Sequence, residues 1–112
     1  EQVGRYGIVC GDNIRESVIE VREMVEKPKP EDAGSNLAII GRYILTPDIF
    51  EIIKQTEPGA TGEVHLTDAL NRQASEGGVV AYKFQGKRFD CGSISGIVEA
   101  TNYVYESIYN AS

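Results

Sequence analysis

The chain has 112 residues, of which 41% are hydrophobic and 25% are charged, a composition typical of one globular domain and not of a disordered segment. Eleven Lys and Arg against 17 Asp and Glu give a net charge of −6, which argues against nucleic acid or an anionic membrane as a partner. No apolar run approaches the roughly 20 residues of a membrane span. The single histidine argues against a histidine-based zinc site, and the two cysteines, far apart in the sequence, do not suggest a disulfide-dense framework.

Two strands are predicted near the start of the chain. Residues 5–9 form the first, and Gly7 within it is informative because glycine weakens a strand and often marks a bulge or the close approach of a ligand or another backbone. Residues 11–13 indicate a turn. Residues 17–26 fit both a helical stripe and a strand face, but their β-branched side chains and the proline that follows at position 28 favour a strand.

The second predicted strand ends in a carboxylate and an ammonium group, Glu26 and Lys27. Successive side chains of a strand point in opposite directions, so one could accept hydrogen bonds from hydroxyls while the other meets a phosphate. This arrangement suits a sugar phosphate. Taken alone, such a pair is more often a solvated strand end, since charged side chains usually stay exposed.

The middle of the chain alternates between strand and helix patterns. Residues 37–45 are an almost continuous apolar run, which predicts a buried strand. Thr46, Pro47 and Asp48 then predict a helix start, followed by core-facing Ile49, Phe50, Ile52 and Ile53. After a loop at residues 57–63, a second helix is predicted from Leu66 or Thr67 to Ser75, ended by two glycines.

The last third predicts a strand at residues 79–84, a tight turn at 85–87 into a hairpin partner at 88–90, and a long helix from Gly92 to about Tyr109. An apolar stripe follows that helix: Ile94, Ile97, Val98, Thr101, Val104, Tyr105 and Ile108. Strands and helices therefore alternate, which predicts an α/β layer fold. Five basic residues are interpreted as surface charges: Lys29, Lys54, Lys83, Lys87 and Arg88.

Asp90 lies between the last predicted strand and the last helix. Ligands of open α/β sheets gather at strand ends, and a carboxylate there could coordinate Mg²⁺ that is otherwise held by waters and phosphate oxygens. The alternative is that Asp90 caps the N-terminus of the last helix, and the residues alone favour that alternative.

Four segments together resemble one enzyme family in their order and spacing. They are residues 25–29, 35–43, 62–69 and 89–92, and the opening residues 5–8 fit as well. The chain resembles the C-terminal half of bacterial UTP–glucose-1-phosphate uridylyltransferases, also called UDP-glucose pyrophosphorylases, within the wider sugar-1-phosphate nucleotidyltransferase family. The resemblance implies a cytoplasmic enzyme with a Rossmann-like fold, in which a mixed sheet is flanked by helices.

The resemblance also implies a reaction, the attack of a glucose 1-phosphate oxygen on the α-phosphorus of UTP, which gives UDP-glucose and pyrophosphate. In that family Gly7 would let its backbone approach the sugar, and Glu26 would accept hydrogen bonds from glucose hydroxyls. Lys27 would be catalytic because it pairs with the phosphate and holds the nucleophile. Ile39 and Tyr43 would line the sugar pocket.

Asp90 would be a second catalytic residue and a metal ligand, one of two carboxylates that hold Mg²⁺. The chain has no Gly-rich nucleotide loop and does not begin with Met, so residues 1–112 are expected to be a C-terminal sugar-phosphate-binding fragment that lacks the N-terminal nucleotide-binding half. Such a fragment is expected to be inactive alone and to self-associate through its bare sheet edges, with strand exchange as one route. The intact enzyme is expected to be a homo-oligomer.

Three alternatives remain open. The chain could belong to another sugar-1-phosphate nucleotidyltransferase, although residues 66–69 and 90–92 favour the UTP–glucose branch over the thymidylyl branch. It could instead be a non-catalytic sensor of sugar phosphates, or an acidic protein-interaction module.

Overall fold

A three-stranded antiparallel sheet forms the centre of the computed structural model, which describes residues 2–110. The strands are β1 (Gly7–Arg15), β2 (Val18–Glu26) and β3 (Val80–Tyr82), in the order β1-β2-β3. The α/β class is as predicted. The mixed sheet expected from the resemblance is antiparallel throughout in residues 2–110.

β1 is longer than predicted, because the turn expected at residues 11–13 is part of the strand. Cys10 pairs with Glu23 and Gly11 with Val21, so the register shifts there. A β-carbon at Gly11 would lie 2.0 Å from the carbonyl oxygen of Glu20, so only glycine fits. The glycine signal at this position marks a bulge and not a chain reversal. The reversal comes later, at Ser17, whose φ is 62°.

The strand predicted at residues 17–26 is confirmed as β2, and Ile19, Val21 and Met24 of this strand are buried. The α-helices are α1 (Ile49–Gln55), α2 (Leu66–Ser75) and α3 (Ile94–Val104), each close to its predicted position. A π-helical turn, Tyr105–Tyr109, extends α3 to its predicted end. Short 3₁₀ turns occupy Val3–Arg5 and Pro30–Asp32.

The core lies between the sheet and helices α1 and α2. Its buried residues are Val9, Val21, Met24, Ile49, Ala69, Leu70 and Ala74. α2 packs mainly on β2, because its apolar positions recur at helical spacing on the side that faces the strand. This packing brings the N-terminus of α2 to the C-terminal end of β2.

The buried strand predicted at residues 37–45 is wrong. Only its beginning pairs with β1: Val9 donates its N–H to Leu37 O (2.9 Å), and Ile39 donates its N–H to Gly7 O (2.8 Å). Beyond Ile39 the segment is irregular, and Ile44 is fully exposed. A strand requires a neighbour for its backbone groups, and none flanks residues 40–45 within the part of the chain that the structure describes.

The hairpin predicted after β3 is also wrong, since residues 83–90 are irregular. Lys83 still donates its N–H to Ser17 O (2.8 Å), but the chain then leaves the sheet. Arg88 and Asp90 turn toward the start of β1, where both side chains bind Tyr6. These side-chain contacts with Tyr6 replace the expected strand pairing.

α3 carries its apolar stripe on an uncovered face. Six of its apolar residues, counting the π-helical extension, are exposed by 41% or more: Ile94, Ile97, Val98, Val104, Tyr105 and Ile108. Ser93 caps this helix, because its hydroxyl accepts the N–H of Gly96 at 3.2 Å. The alternative interpretation of Asp90 as the helix cap is therefore wrong. Among residues 2–110, no helix has the length and apolar character needed to cross a membrane.

Candidate functional site

Gly7 and Glu26 lie opposite each other in the β1–β2 pair. A β-carbon built on Gly7 would lie 2.9 Å from Ile39 Cδ1 and 3.1 Å from Glu26 Oε2. The space that any other residue would fill here is therefore taken by the Ile39 and Glu26 side chains. Gly7 thus lets three of the predicted site residues, Gly7, Glu26 and Ile39, come together at the end of the sheet.

The Glu26 carboxylate is held by Thr67 in the first turn of α2. The Thr67 hydroxyl donates to Glu26 Oε2 at 2.6 Å, and Thr67 is only 4% exposed. Within residues 2–110 the carboxylate has no other hydrogen bond, so it retains acceptor capacity for a ligand. No local sequence signal assigns Thr67 a role, although its segment is part of the family resemblance, because the contact joins residues 41 positions apart.

Lys27 has a left-handed backbone, with φ at 45°. This conformation is uncommon for a residue with a β-carbon and tends to occur at functional sites, where the surrounding structure maintains it. The Lys27 N–H donates to the carbonyl oxygen of Tyr6 at 3.0 Å. Lys27 is exposed whereas Glu26 is half-buried, and the strand alternation expected for this pair does not extend to Lys27, because β2 ends at Glu26.

Tyr43 lies close enough to Glu26 to sense its charge. Partial burial raises the pKa of the Tyr43 phenol, and the negative charge of Glu26 raises it further. The segment that carries Tyr43 is not a strand, yet it brings this residue to the same end of the sheet. Tyr43 is 40% exposed, so it lies at the rim of the cluster.

Asp90 lies near the same end of the sheet, joined to it by Tyr6. Its Oδ2 accepts from the Tyr6 hydroxyl and from Arg5 Nη2, both at 3.2 Å, and its Oδ1 accepts the Gly92 N–H at 3.1 Å. The Gly92 N–H and the Tyr6 hydroxyl lower the pKa of Asp90, and the charges of Arg5 and Arg88 lower it further. Asp90 is therefore an ionised carboxylate at neutral pH.

Asp90 has the chemistry of a single Mg²⁺ ligand, because an ionised and partly exposed carboxylate is a hard oxygen donor. Residues 2–110 contain no group of three or more His, Cys, Asp or Glu side chains placed to hold a metal ion. A metal bound at Asp90 would thus need oxygen ligands from outside this set of residues.

Two surface hollows differ in their relation to the predicted site. One, of about 560 Å³, includes Glu26 and Lys27 but otherwise extends over the edge of β2, residues 59–63 and α2. The other, of about 430 Å³, lies on the end of α3 and contains none of the predicted residues. The side-chain contacts around Gly7, Glu26 and Tyr6 therefore define the site better than either hollow does.

The chain belongs to the nucleotidyl transferase family, whose model matches residues 1–107. It is 62% identical over 109 residues to the UTP–glucose-1-phosphate uridylyltransferase of Pseudomonas aeruginosa, covering 97% of this chain and 39% of that relative. Identity to the Staphylococcus epidermidis protein of the same name is 47% over 97 residues, covering 87% of this chain and 34% of the relative.

Solved structures give the same family. A UDP-glucose pyrophosphorylase complexed with UDP-glucose matches with a TM-score of 0.87 and 55% identity, over 95% of this chain and 40% of that one. A UTP-bound UGPase from Acinetobacter baumannii matches with a TM-score of 0.72 and 36% identity, over 95% and 36% of the two chains. The chain thus spans 34% to 40% of the length of these relatives.

The proximity of Tyr43 to Glu26 can be tested through the pKa of the Tyr43 phenol. We expect Glu26→Gln to lower this pKa, because the substitution removes a nearby negative charge, while the contribution of burial remains. NMR titration of the labelled tyrosine ring carbons would measure the shift. Glu23→Gln, on an exposed residue of the same strand, is the matched control and should leave Tyr43 unchanged. An equal shift in both variants would contradict the placement of Tyr43.

Proposed function

We propose that this chain supplies the sugar-phosphate-binding part of a UTP–glucose-1-phosphate uridylyltransferase. The observation that carries the proposal is the Glu26 carboxylate, held by Thr67 opposite Gly7 and directly followed by Lys27 in its left-handed conformation. The arrangement offers a hydrogen-bond acceptor for hydroxyls next to a cation for phosphate. The names of the relatives, which include UTP–glucose-1-phosphate uridylyltransferase, support glucose 1-phosphate as the ligand.

Each residue then has a role that follows from its chemistry. Glu26 accepts hydrogen bonds from the sugar hydroxyls, because an ionised carboxylate is an acceptor only. Gly7 lets the Glu26 and Ile39 side chains pack close to the β1 backbone beside the sugar, and Ile39 and Tyr43 line the pocket. Lys27 pairs with the phosphate and so orients the attacking oxygen. A reaction of this type depends on positioning and charge neutralisation more than on covalent catalysis.

Asp90 is proposed as one carboxylate ligand of Mg²⁺. A magnesium ion held there would supply positive charge that offsets the negative charge developing during transfer. The ionised state of Asp90 and the hydrogen bonds from Gly92 and Tyr6 support this role, because they hold the carboxylate in one orientation. The remaining ligands would come from substrate phosphates and from a second carboxylate outside this chain.

We also propose that the chain corresponds to the C-terminal half of the enzyme, with the nucleotide-binding half contributed by other residues. Its coverage of 39% of the Pseudomonas relative supports a partial chain, and the lack of a Gly-rich nucleotide loop in its 112 residues supports the missing half. On this proposal the 112 residues bind the sugar phosphate, do not bind UTP, and do not form UDP-glucose alone. The proposed location is the cytoplasm.

The role of Lys27 can be tested by NMR titration of the 112-residue chain with glucose 1-phosphate and, separately, with UTP. We expect binding of glucose 1-phosphate only, and we expect Lys27→Met to weaken it by about 10- to 100-fold, because one charge-assisted contact is lost. Lys29→Met is the control, since Lys29 is an exposed lysine two residues away, and it should change the affinity less than twofold.

Each alternative function has its own outcome in that titration. Binding of neither ligand would favour a protein-interaction module. Tight binding of UTP, or turnover by the chain alone, would contradict the proposed division of the site. Normal sugar-phosphate binding by Lys27→Met would contradict the role of that residue.

Thr67 offers a separate test of sugar recognition. Thr67→Val keeps the shape of the side chain but removes the donor to Glu26, so we expect about tenfold weaker binding of glucose 1-phosphate. Binding of inorganic phosphate should not change, because Lys27 is unaffected. Thr67→Ser restores the hydroxyl and should restore the affinity. A parallel loss for both ligands would show that Thr67 acts on overall structure.

We further propose that the chain self-associates, with strand exchange between copies as one route, and that the intact enzyme is a homo-oligomer. The exposed apolar face of α3 and the open edges of β1 and β3 support this proposal. Light scattering over a concentration series should show the mean mass rising above the 12.3 kDa of one chain. A constant mass of one chain at high concentration would contradict it.

A further inference from the structure

Tyr6 contacts two of the proposed functional residues through different groups. Its backbone carbonyl accepts the N–H of Lys27 at 3.0 Å, and its side-chain hydroxyl donates to Asp90 Oδ2 at 3.2 Å. Lys27 directly follows β2, and Asp90 lies far along the sequence in the irregular segment after β3. Tyr6 also directly precedes Gly7, so it is fixed to the first residue of β1.

The direction of the Tyr6–Asp90 hydrogen bond is set by a third residue. Arg88 Nη1 donates to the Tyr6 hydroxyl oxygen at 3.0 Å, and the guanidinium carbon of Arg88 lies 4.7 Å from the centre of the Tyr6 ring. A guanidinium can only donate, so the phenol accepts from Arg88 and gives its single proton to Asp90. A donor on the phenol oxygen also polarises the O–H group and strengthens its bond to the carboxylate.

Arg5 contacts the same oxygen of Asp90 but holds it less firmly. The side chains of this ion pair are 59% and 36% exposed, and ion pairs between exposed groups contribute little. Tyr6 is half-buried, and its ring is anchored by its place before β1 and by Arg88. The orientation of Asp90 relative to the sheet therefore depends mainly on the Tyr6 hydroxyl.

We propose that Tyr6 is a positioning residue that couples the phosphate-binding Lys27 to Asp90. Through its backbone it maintains the unusual conformation of Lys27, and through its hydroxyl it aligns the Asp90 carboxylate with the same strand end. This inference rests on the proposed function for the roles of Lys27 and Asp90. The coupling itself rests on the contacts of Tyr6.

The experiment uses the Gly92 amide as the reporter, because its N–H donates directly to Asp90 Oδ1. In the unsubstituted chain, glucose 1-phosphate should shift the Gly92 resonance in NMR spectra as Lys27 engages the phosphate. Tyr6→Phe removes only the hydroxyl and leaves the backbone contact to Lys27. We expect the variant to bind glucose 1-phosphate within about twofold of normal, to lose most of the Gly92 shift, and to exchange the Gly92 amide hydrogen about tenfold faster without ligand.

Two further variants complete the design. Tyr82→Phe alters an exposed tyrosine of β3 and should leave every measurement unchanged. Arg88→Met keeps the Tyr6 hydroxyl but removes the donor to it, so it should give a smaller rise in Gly92 exchange than Tyr6→Phe does.

Each remaining outcome is decisive. An unchanged Gly92 shift and exchange rate in Tyr6→Phe would overturn the proposal. A tenfold loss of sugar-phosphate affinity in that variant would also overturn it, because Tyr6 would then act on the ligand directly. If the unsubstituted chain bound no glucose 1-phosphate, the proposed function would fail, and the exchange rate of Gly92 without ligand would still decide whether Tyr6 holds Asp90.

Discussion

The antiparallel register between β1 and β2 is the constraint on which the site depends. It sets Gly7 opposite Glu26 and brings the carbonyl oxygen of Tyr6 to the N–H of Lys27. A slip of one residue would move every side chain of a strand to the other face of the sheet, so Glu26 would leave Thr67. The bulge at Gly11 secures this register, since any β-carbon there would collide with the carbonyl oxygen of Glu20.

The polar contacts at this end of the sheet form two groups, one around Glu26 and one around Tyr6. Thr67 fixes one oxygen of the Glu26 carboxylate from the buried side, which leaves acceptor capacity toward the surface. Next to Gly7, the Tyr6 hydroxyl accepts a hydrogen bond from Arg88 and donates one to Asp90. Arg5, Lys27 and Arg88 all lie near the start of β1, so a chain of net charge −6 carries a local group of positive side chains there.

The chain spans about two fifths of the length of two of its relatives, and its exposed apolar surfaces fit such a partial structure. The outer face of α3 is apolar at helical spacing, and residues 40–45 are apolar without regular structure. Both patterns are typical of buried elements. Their sequences therefore suit an environment that residues 2–110 do not supply.

The sequence by itself determined the elements whose signals are local. β-branching and Pro28 predicted β2, two glycines predicted the end of α2, and helical spacing predicted α3, whereas α1 begins after Asp48 and not after the predicted cap Thr46. The family resemblance also came from the sequence, and it identified Glu26, Lys27 and Asp90 as candidates. Local signals failed where strand formation depends on a neighbouring strand. Residues 40–45 have the composition of a strand, but no strand lies beside them in residues 2–110. Arg88 and Asp90 bind the Tyr6 side chain and do not pair with β3.

Only the tertiary structure decided how the candidate residues are held. Thr67 meets Glu26 across 41 positions, and Tyr6 meets Asp90 across 84. A single hydrogen bond between residues so far apart in the sequence produces no periodic pattern, because it requires only one donor residue and one acceptor residue. The left-handed backbone of Lys27 is also accompanied by a long-range contact, since its N–H donates to the carbonyl oxygen of Tyr6, which directly precedes β1. Side-chain type thus specified the candidate chemistry, and long-range contacts specified its geometry.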